Sequence, residues 1–149
     1  MKNKISNKFS ALIHSENEVM TEQAGYDLAQ KLEAGMLVAL TGDFGAGKTV
    51  FIRGIARGLG ISDIVTSPSF TIIHEYKGET LRLYHIDLYR IKDGEQAIAY
   101  GVEDVINVPD AITVMEWAER IPDLLLGIEV IRVSISDEGL LKRVIEIES

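Results

Sequence analysis

The chain of 149 residues has no cysteine, three prolines, one tryptophan and only 7% aromatic residues. Without cysteine it forms no disulfide, builds no thiolate zinc site and carries no catalytic thiol. Pro68, Pro109 and Pro122 are scattered between periodic segments, and no Pro-, Gly- or Ser-rich linker or internal repeat interrupts the chain. Long apolar runs are missing too. The longest, around Met36–Leu40, falls far short of the ~20 residues that a spanning helix needs. The lysines of Met1–Lys8 have no apolar stretch behind them, so they do not read as a signal peptide. The expectation is a cytoplasmic protein with no membrane contact. Positive charge is also in deficit: 15 Lys and Arg against 23 Asp and Glu give a formal charge of -8. That disfavours broad electrostatic affinity for nucleic acid or anionic lipid. An acidic ligand must be held by a local device working against the overall field.

What is present is the composition of an ordinary globular protein, 46% hydrophobic and 26% charged. The length predicts a single domain over residues 1–149. Phe9–Ile13 reads as a short strand. Ser15 and Glu18 match a capping box, with Ser15 as N-cap, opening a helix whose face is Met20, Ala24, Leu28 and Leu32, with Gly35 beyond its end. The continuous run Met36–Leu40 reads as a parallel strand covered on both faces. A Gly-rich turn and a second helix, through Val50, Phe51, Ile55, Ala56 and Leu59, follow it. Phe70–Tyr76 and Thr80–Leu88 flank Lys77-Gly78-Glu79 as a hairpin, and Glu95–Tyr100 is a short helix candidate. Ile112–Met115 is a further strand. Ile128–Ile135 and Leu141–Ile147 alternate about Asp137-Glu138-Gly139 as a second hairpin. The fold class is therefore α/β, a sheet with a parallel core and added antiparallel hairpins.

Gly42-Asp43-Phe44-Gly45-Ala46-Gly47-Lys48-Thr49 satisfies every fixed position of G-x-x-x-x-G-K-[ST]. A phosphate can rest against successive backbone N–H groups only where side chains are absent or small, and Gly42, Gly45, Ala46 and Gly47 meet that demand. The helix behind the loop adds its N-terminal dipole and unpaired N–H groups. In such a loop Lys48 reaches the β- and γ-phosphates and the Thr49 hydroxyl binds Mg²⁺. A chance match arises about once in a few hundred sequences of this size, and the placement between a strand and a helix pattern makes coincidence rarer still. The loop also answers the charge problem, since it holds phosphate through dipoles and one lysine. Phosphoryl transfer then needs a carboxylate at a strand end. Glu116, after Ile112-Thr113-Val114-Met115, and Asp87, after Leu83-Tyr84-His85-Ile86, stand in that position. Taken singly, each could equally be a solvent-facing acid at a strand end; beside a phosphate loop the balance moves toward function, since hydrolysis needs metal coordination and water orientation. His74 and His85 read as structural residues and Trp117 as core or interface rather than base-stacking, while Tyr89 and Arg90 are candidates to support the site, with a surface pair an equal reading of Arg90.

The loop Gly42–Thr49 behind an apolar strand, then Ser67-Pro68-Ser69-Phe70, then His85-Ile86-Asp87-Leu88-Tyr89-Arg90, then Glu116-Trp117, resembles the TsaE (YjeE) family. These are small bacterial ATPases required for the threonylcarbamoyladenosine modification of tRNA. The loop alone is shared with very many proteins; the three further motifs in this order and chain size make the likeness specific. The resemblance implies a P-loop NTPase-like fold and a weak, Mg²⁺-dependent ATPase. Its partners would be TsaD and TsaB, the pair that carries out threonylcarbamoyl transfer, with tRNA met only through them. It implies that Lys48 and Thr49 serve phosphates and Mg²⁺, that Glu116 coordinates Mg²⁺, and that Asp87 orients or activates the attacking water. Ser67–Phe70 would be a switch-like loop near the γ-phosphate, and residues around Ser15–Glu18 would lie near the adenine. Three positions depart from the family pattern: Ser69 where Thr is usual, Phe44 where Leu is common and Ala118 where Pro is frequent. None removes a phosphate or metal ligand. The loop by itself also admits a small-molecule kinase or a non-hydrolysing, nucleotide-dependent interaction module.

Overall fold

The apolar run becomes strand β2, Leu37–Thr41, whose first four residues are all buried. In the computed structural model, which describes residues 9–149 apart from 44, 69, 70 and 107, β2 lies at the middle of a seven-stranded sheet. The other strands are β1 (Ala11–Ser15), β3 (Ile73–Lys77), β4 (Arg82–Asp87), β5 (Ala111–Glu116), β6 (Val130–Asp137) and β7 (Arg143–Glu148). Their order is β1-β7-β6-β2-β5-β4-β3. The pairs β6–β2, β2–β5 and β5–β4 are parallel, while β1–β7, β7–β6 and β4–β3 are antiparallel. This is a parallel core with antiparallel additions at both sides, as the strand and hairpin patterns predict.

Both faces of the core are covered. One bears Val38, Leu40, Leu83, Ile112, Val114 and Ile131, packed against helices α1 (Glu18–Ala29) and α2 (Lys48–Gly58) through Leu28, Phe51, Ile52 and Ile55. The other bears Leu37, Ala39, Ile86 and Met115. It is covered by the short helices α3 (Gly94–Ala99) and α4 (Val102–Val105) and by 3₁₀ turns at Ala118–Arg120 and Pro122–Leu125. Each fully buried Ile, Leu or Phe contributes ~1.5–3 kcal/mol; with both faces apolar, a one-residue slip would exchange the two layers and break the packing of each rather than expose it. Helices α1 and α2 meet at glycines. A Cβ on Gly25 would lie 2.1 Å from the Phe51 carbonyl oxygen, and one on Gly54 would lie 1.9 Å from that of Glu22.

Several expected boundaries move. The first strand starts two residues later than expected and runs to Ser15, so Ser15 is not the N-cap. Asn17 is, accepting the Met20 N–H at 2.9 Å through its side chain. The Ser15 hydroxyl instead bonds Thr21 Oγ1 at 2.7 Å. Helix α1 ends at Ala29, ahead of Leu32 and Gly35, and buries Thr21, Ala24, Gly25, Leu28 and Ala29, while Met20 is exposed. Small residues win that face because α2 comes so close. The later strands start at Arg82 and Val130 rather than Thr80 and Ile128. Among the described residues no helix is long and apolar enough to cross a membrane.

Candidate functional site

The register of the parallel core assembles the site. Leu40, the penultimate residue of β2, pairs with Glu116, and Glu116 pairs with Asp87. The C-terminal ends of β2, β5 and β4 therefore lie side by side, where ligands of α/β sheets gather. Alternation places His85, Asp87 and Glu116 on the same side as Leu83, Ile112 and Val114, the side covered by α2. The loop after β2 leads into α2, whose first residue is Lys48. Its Nζ lies 3.1 Å from Glu116 Oε1.

Two glycines set the loop's shape. Gly45 and Gly47 have φ of 78° and 97°, in the left-handed region. A Cβ on Gly47 would also approach Arg143 Nε to 3.4 Å and Thr21 Cγ2 to 3.7 Å. Gly47 is the N-cap of α2 with no side-chain cap, so the helix opens with first-turn N–H groups that suit an anion. The carbonyls of the loop are held from behind by Arg143, a buried residue of β7. Its Nε donates to Ala46 O at 2.7 Å and an Nη to Gly45 O at 3.1 Å, while the other Nη pairs with Asp137 at 2.9 Å.

A cleft of about 620 Å³ runs along the loop. Gly45, Gly47, Lys48, Thr49, Ser67, Asp87, Tyr89, Arg90 and Glu116, all singled out from the sequence, line it. Of the segment Ser15–Glu18, Glu18 reaches its wall and Ser15 does not; Thr21, one turn further along α1, also lines it. A second cleft of about 310 Å³, on the other side of Lys48, is lined by Gly42, Asp43, Tyr89, Trp117 and Glu119. Ala46 is buried, turned toward Arg143. Phe44, Ser69 and Phe70 lie outside the described residues.

The two acids have opposite electrostatics. Burial alone would raise Glu116, but a 2.9 Å hydrogen bond from His85 Nε2 to Oε2 and the nearby Lys48 outweigh it, holding the carboxyl below the usual range. Asp87 is raised, chiefly by burial and secondarily by the Glu116 charge, against the opposing 2.9 Å hydrogen bond from the Tyr89 N–H to Oδ1. A carboxylate kept ionised beside one made more basic is a division of labour suited to metal binding and proton acceptance.

Three residues that the sequence did not assign to the site belong to its frame. Arg143 is one. His85, read as structural, is fully buried against Glu116. Arg120 donates through one Nη to the carbonyls of Leu88, at 3.2 Å, Ile91, at 2.8 Å, and Tyr89. Its guanidinium lies 4.8 Å from the Trp117 ring centroid and 5.9 Å from that of Tyr89. It thus ties the segment after Asp87 to the segment after Glu116. Trp117 is half-buried, lining both clefts as well as packing on the second core layer, and has a φ of 64°. For a bulky residue that conformation costs ~1–3 kcal/mol and persists where surrounding structure imposes it.

A parallel-core sheet with a glycine loop between a central strand and a helix, and acids at adjacent strand ends, defines a P-loop NTPase-like α/β protein. The comparisons narrow the class. The model of the family described as "Threonylcarbamoyl adenosine biosynthesis protein TsaE" matches residues 15–145. The chain is 44% identical over 106 residues to a Synechocystis protein named "tRNA threonylcarbamoyladenosine biosynthesis protein TsaE", covering 70% of this chain and 68% of that one. It is 44% identical over 91 residues to the Bacillus subtilis protein of the same name, spanning 61% of this chain and 56% of that relative's length. A crystal structure of Bacillus subtilis YdiB superposes with a TM-score of 0.72 at 31% identity, over 93% of this chain and 85% of that one. The chain belongs to the TsaE family.

Proposed function

We propose that the chain binds ATP with Mg²⁺ in the larger cleft and hydrolyses it as the nucleotide-driven component of tRNA threonylcarbamoyladenosine biosynthesis, acting with the TsaD–TsaB pair. The observation that carries the reading is the convergence of Lys48, Asp87 and Glu116 at the mouth of the glycine loop. The N–H groups of the loop and the first turn of α2 bind the phosphates, and Lys48 moves from Glu116 to the β- and γ-oxygens. Among the described residues no group of three or more His, Cys, Asp or Glu side chains is placed to hold a metal ion. The donors that are present, the Thr49 hydroxyl and the Glu116 carboxylate, are hard oxygens that fit a Mg²⁺ shared with phosphate. When bound, that ion supplies neutralisation of charge on the phosphate oxygens. Asp87 orients the attacking water and accepts its proton, a role served by its raised proton affinity.

The membership of the family and the names of the relatives support the pathway. The charge supports the division of labour. A chain of net charge -8 is a poor direct ligand for tRNA and a good one for a more basic enzyme that holds it.

Reconstitution with the transferase pair and tRNA is the test. Stimulated ATP hydrolysis and multiple turnovers of modification are expected, both lost in Lys48→Ala. Glu116→Ala lowers Mg²⁺-dependent hydrolysis by about 100-fold; full activity in that variant overturns the metal assignment. Absence of stimulation together with phosphorylation of a small acceptor overturns the ATPase reading in favour of a kinase.

A further inference from the structure

His85 occupies a place that packing alone does not explain. It is fully buried in β4, in the layer that bears Leu83, Ile112 and Val114, where an apolar side chain would serve the core. Its Nδ1 is buried without a hydrogen-bond partner, which is costly in an apolar layer. Its Nε2 lies 2.9 Å from Glu116 Oε2. A carboxylate oxygen only accepts, so Nε2 carries the hydrogen.

Glu116 thus divides its two oxygens between unlike partners. Oε2 is held by a ring that is fully buried on β4. Oε1 is held by Lys48 at 3.1 Å, through a long and flexible side chain at the edge of the cleft. Resting on the proposed function, we propose that His85 is a positioning residue: it pins Oε2 so that Oε1 alone is released to a divalent cation when Lys48 turns to phosphate. Without that bond the carboxyl rotates freely once Lys48 leaves, and the metal must be bound at the expense of ordering it. Buried partners that orient a ligating group are commonly worth 10- to 100-fold in metal affinity.

The test is Mn²⁺ binding, followed by electron paramagnetic resonance, to the full chain saturated with the non-hydrolysable analogue adenylyl imidodiphosphate. His85→Leu should weaken Mn²⁺ binding by about 10- to 100-fold while leaving metal-free analogue affinity within about threefold. His85→Gln, whose amide nitrogen reaches the place of Nε2, should restore Mn²⁺ affinity; His85→Asn, which is too short, should not. Parental Mn²⁺ affinity in a folded His85→Leu protein overturns the inference. If that variant does not fold, equal affinities in the Gln and Asn variants overturn it. A parent chain that binds the analogue but shows no Mn²⁺ binding overturns the metal reading of Glu116 and this inference with it. A parent that binds Mn²⁺ no better than His85→Leu overturns this inference alone.

Discussion

Replacing Arg143 by methionine removes the guanidinium while keeping most of the stem that packs behind the loop. Two bonds to loop carbonyls are lost, 2.7 Å to Ala46 O and 3.1 Å to Gly45 O, with the 2.9 Å ion pair to Asp137. The ion pair matters least: the Asp137 side chain is 50% exposed, and such pairs are worth ~0–1 kcal/mol. The carbonyl bonds come from a charged donor, at ~1.5–3 kcal/mol each. Gly45 is exposed, so water replaces that bond, whereas the bond to Ala46 is buried and its carbonyl is left unsatisfied. The net loss is ~2–4 kcal/mol. Because the bonds hold the loop, part of that loss falls on its ordering, and each ~1.4 kcal/mol that binding must supply lowers ATP affinity tenfold. Urea denaturation should show a lowered midpoint, and calorimetry should show ATP binding weakened at least about tenfold. Arg143→Lys should fall between, since an ammonium replaces the charge but not the fork of donors. If Arg143→Met matches the parent in both measurements, the loop does not depend on this anchor.

Gly54→Ala should cost about 3 kcal/mol or more in denaturant unfolding, because its Cβ would lie 1.9 Å from a backbone oxygen of α1, which has no rotamer to give; a change under about 0.5 kcal/mol would show that the helices part easily. Asp87→Asn should stabilise the free chain at pH 7 while abolishing hydrolysis. An acid whose folded pKa is raised contributes least once pH has risen through that pKa, so the neutral amide gains there, and it keeps the oxygen that accepts from Tyr89 N–H. The advantage should vanish below about pH 3, where the carboxyl is protonated folded and unfolded; an advantage that persists undiminished at low pH would place its origin elsewhere.

The loop, both acids and the parallel-core sheet were readable because each is local: a spacing, an apolar run, an acid closing a strand. What escaped the sequence was set by distant partners. Arg143 meets Ala46 across 97 positions, Arg120 meets Leu88 across 32, and His85 meets Glu116 across 31. No periodicity signals such a contact. The misplaced cap has the same origin. Ser15 and Asn17 are both good N-caps, and the choice falls to Asn17 because Ser15 is drawn into the β1–β7 ladder opposite Arg143. Likewise Met20 looked like the core side of α1, but the close approach of α2 selects Thr21 and Gly25 for that face.

On the proposed function, the charges at the cleft bear on how an acidic chain would hold a triphosphate without a basic surface. In the free chain Glu116 is compensated by Lys48 and His85, and Asp87 is made more basic by its burial and by the Glu116 charge. On the proposed function, moving Lys48 to the phosphates takes the cation from Glu116 just as new negative charge arrives beside it. Two neighbouring carboxylates and a polyphosphate repel one another strongly in a half-buried cleft. A divalent cation held by Glu116 would supply the positive charge that removes both conflicts, which nucleotide alone or cation alone would not. If both ligands bind as proposed, the pairing of Lys48 with Glu116 would couple them, each favouring the other by the same free energy. On this proposal the device that overcomes the net charge is not the loop alone but the loop together with an acid that would need a cation once its lysine left.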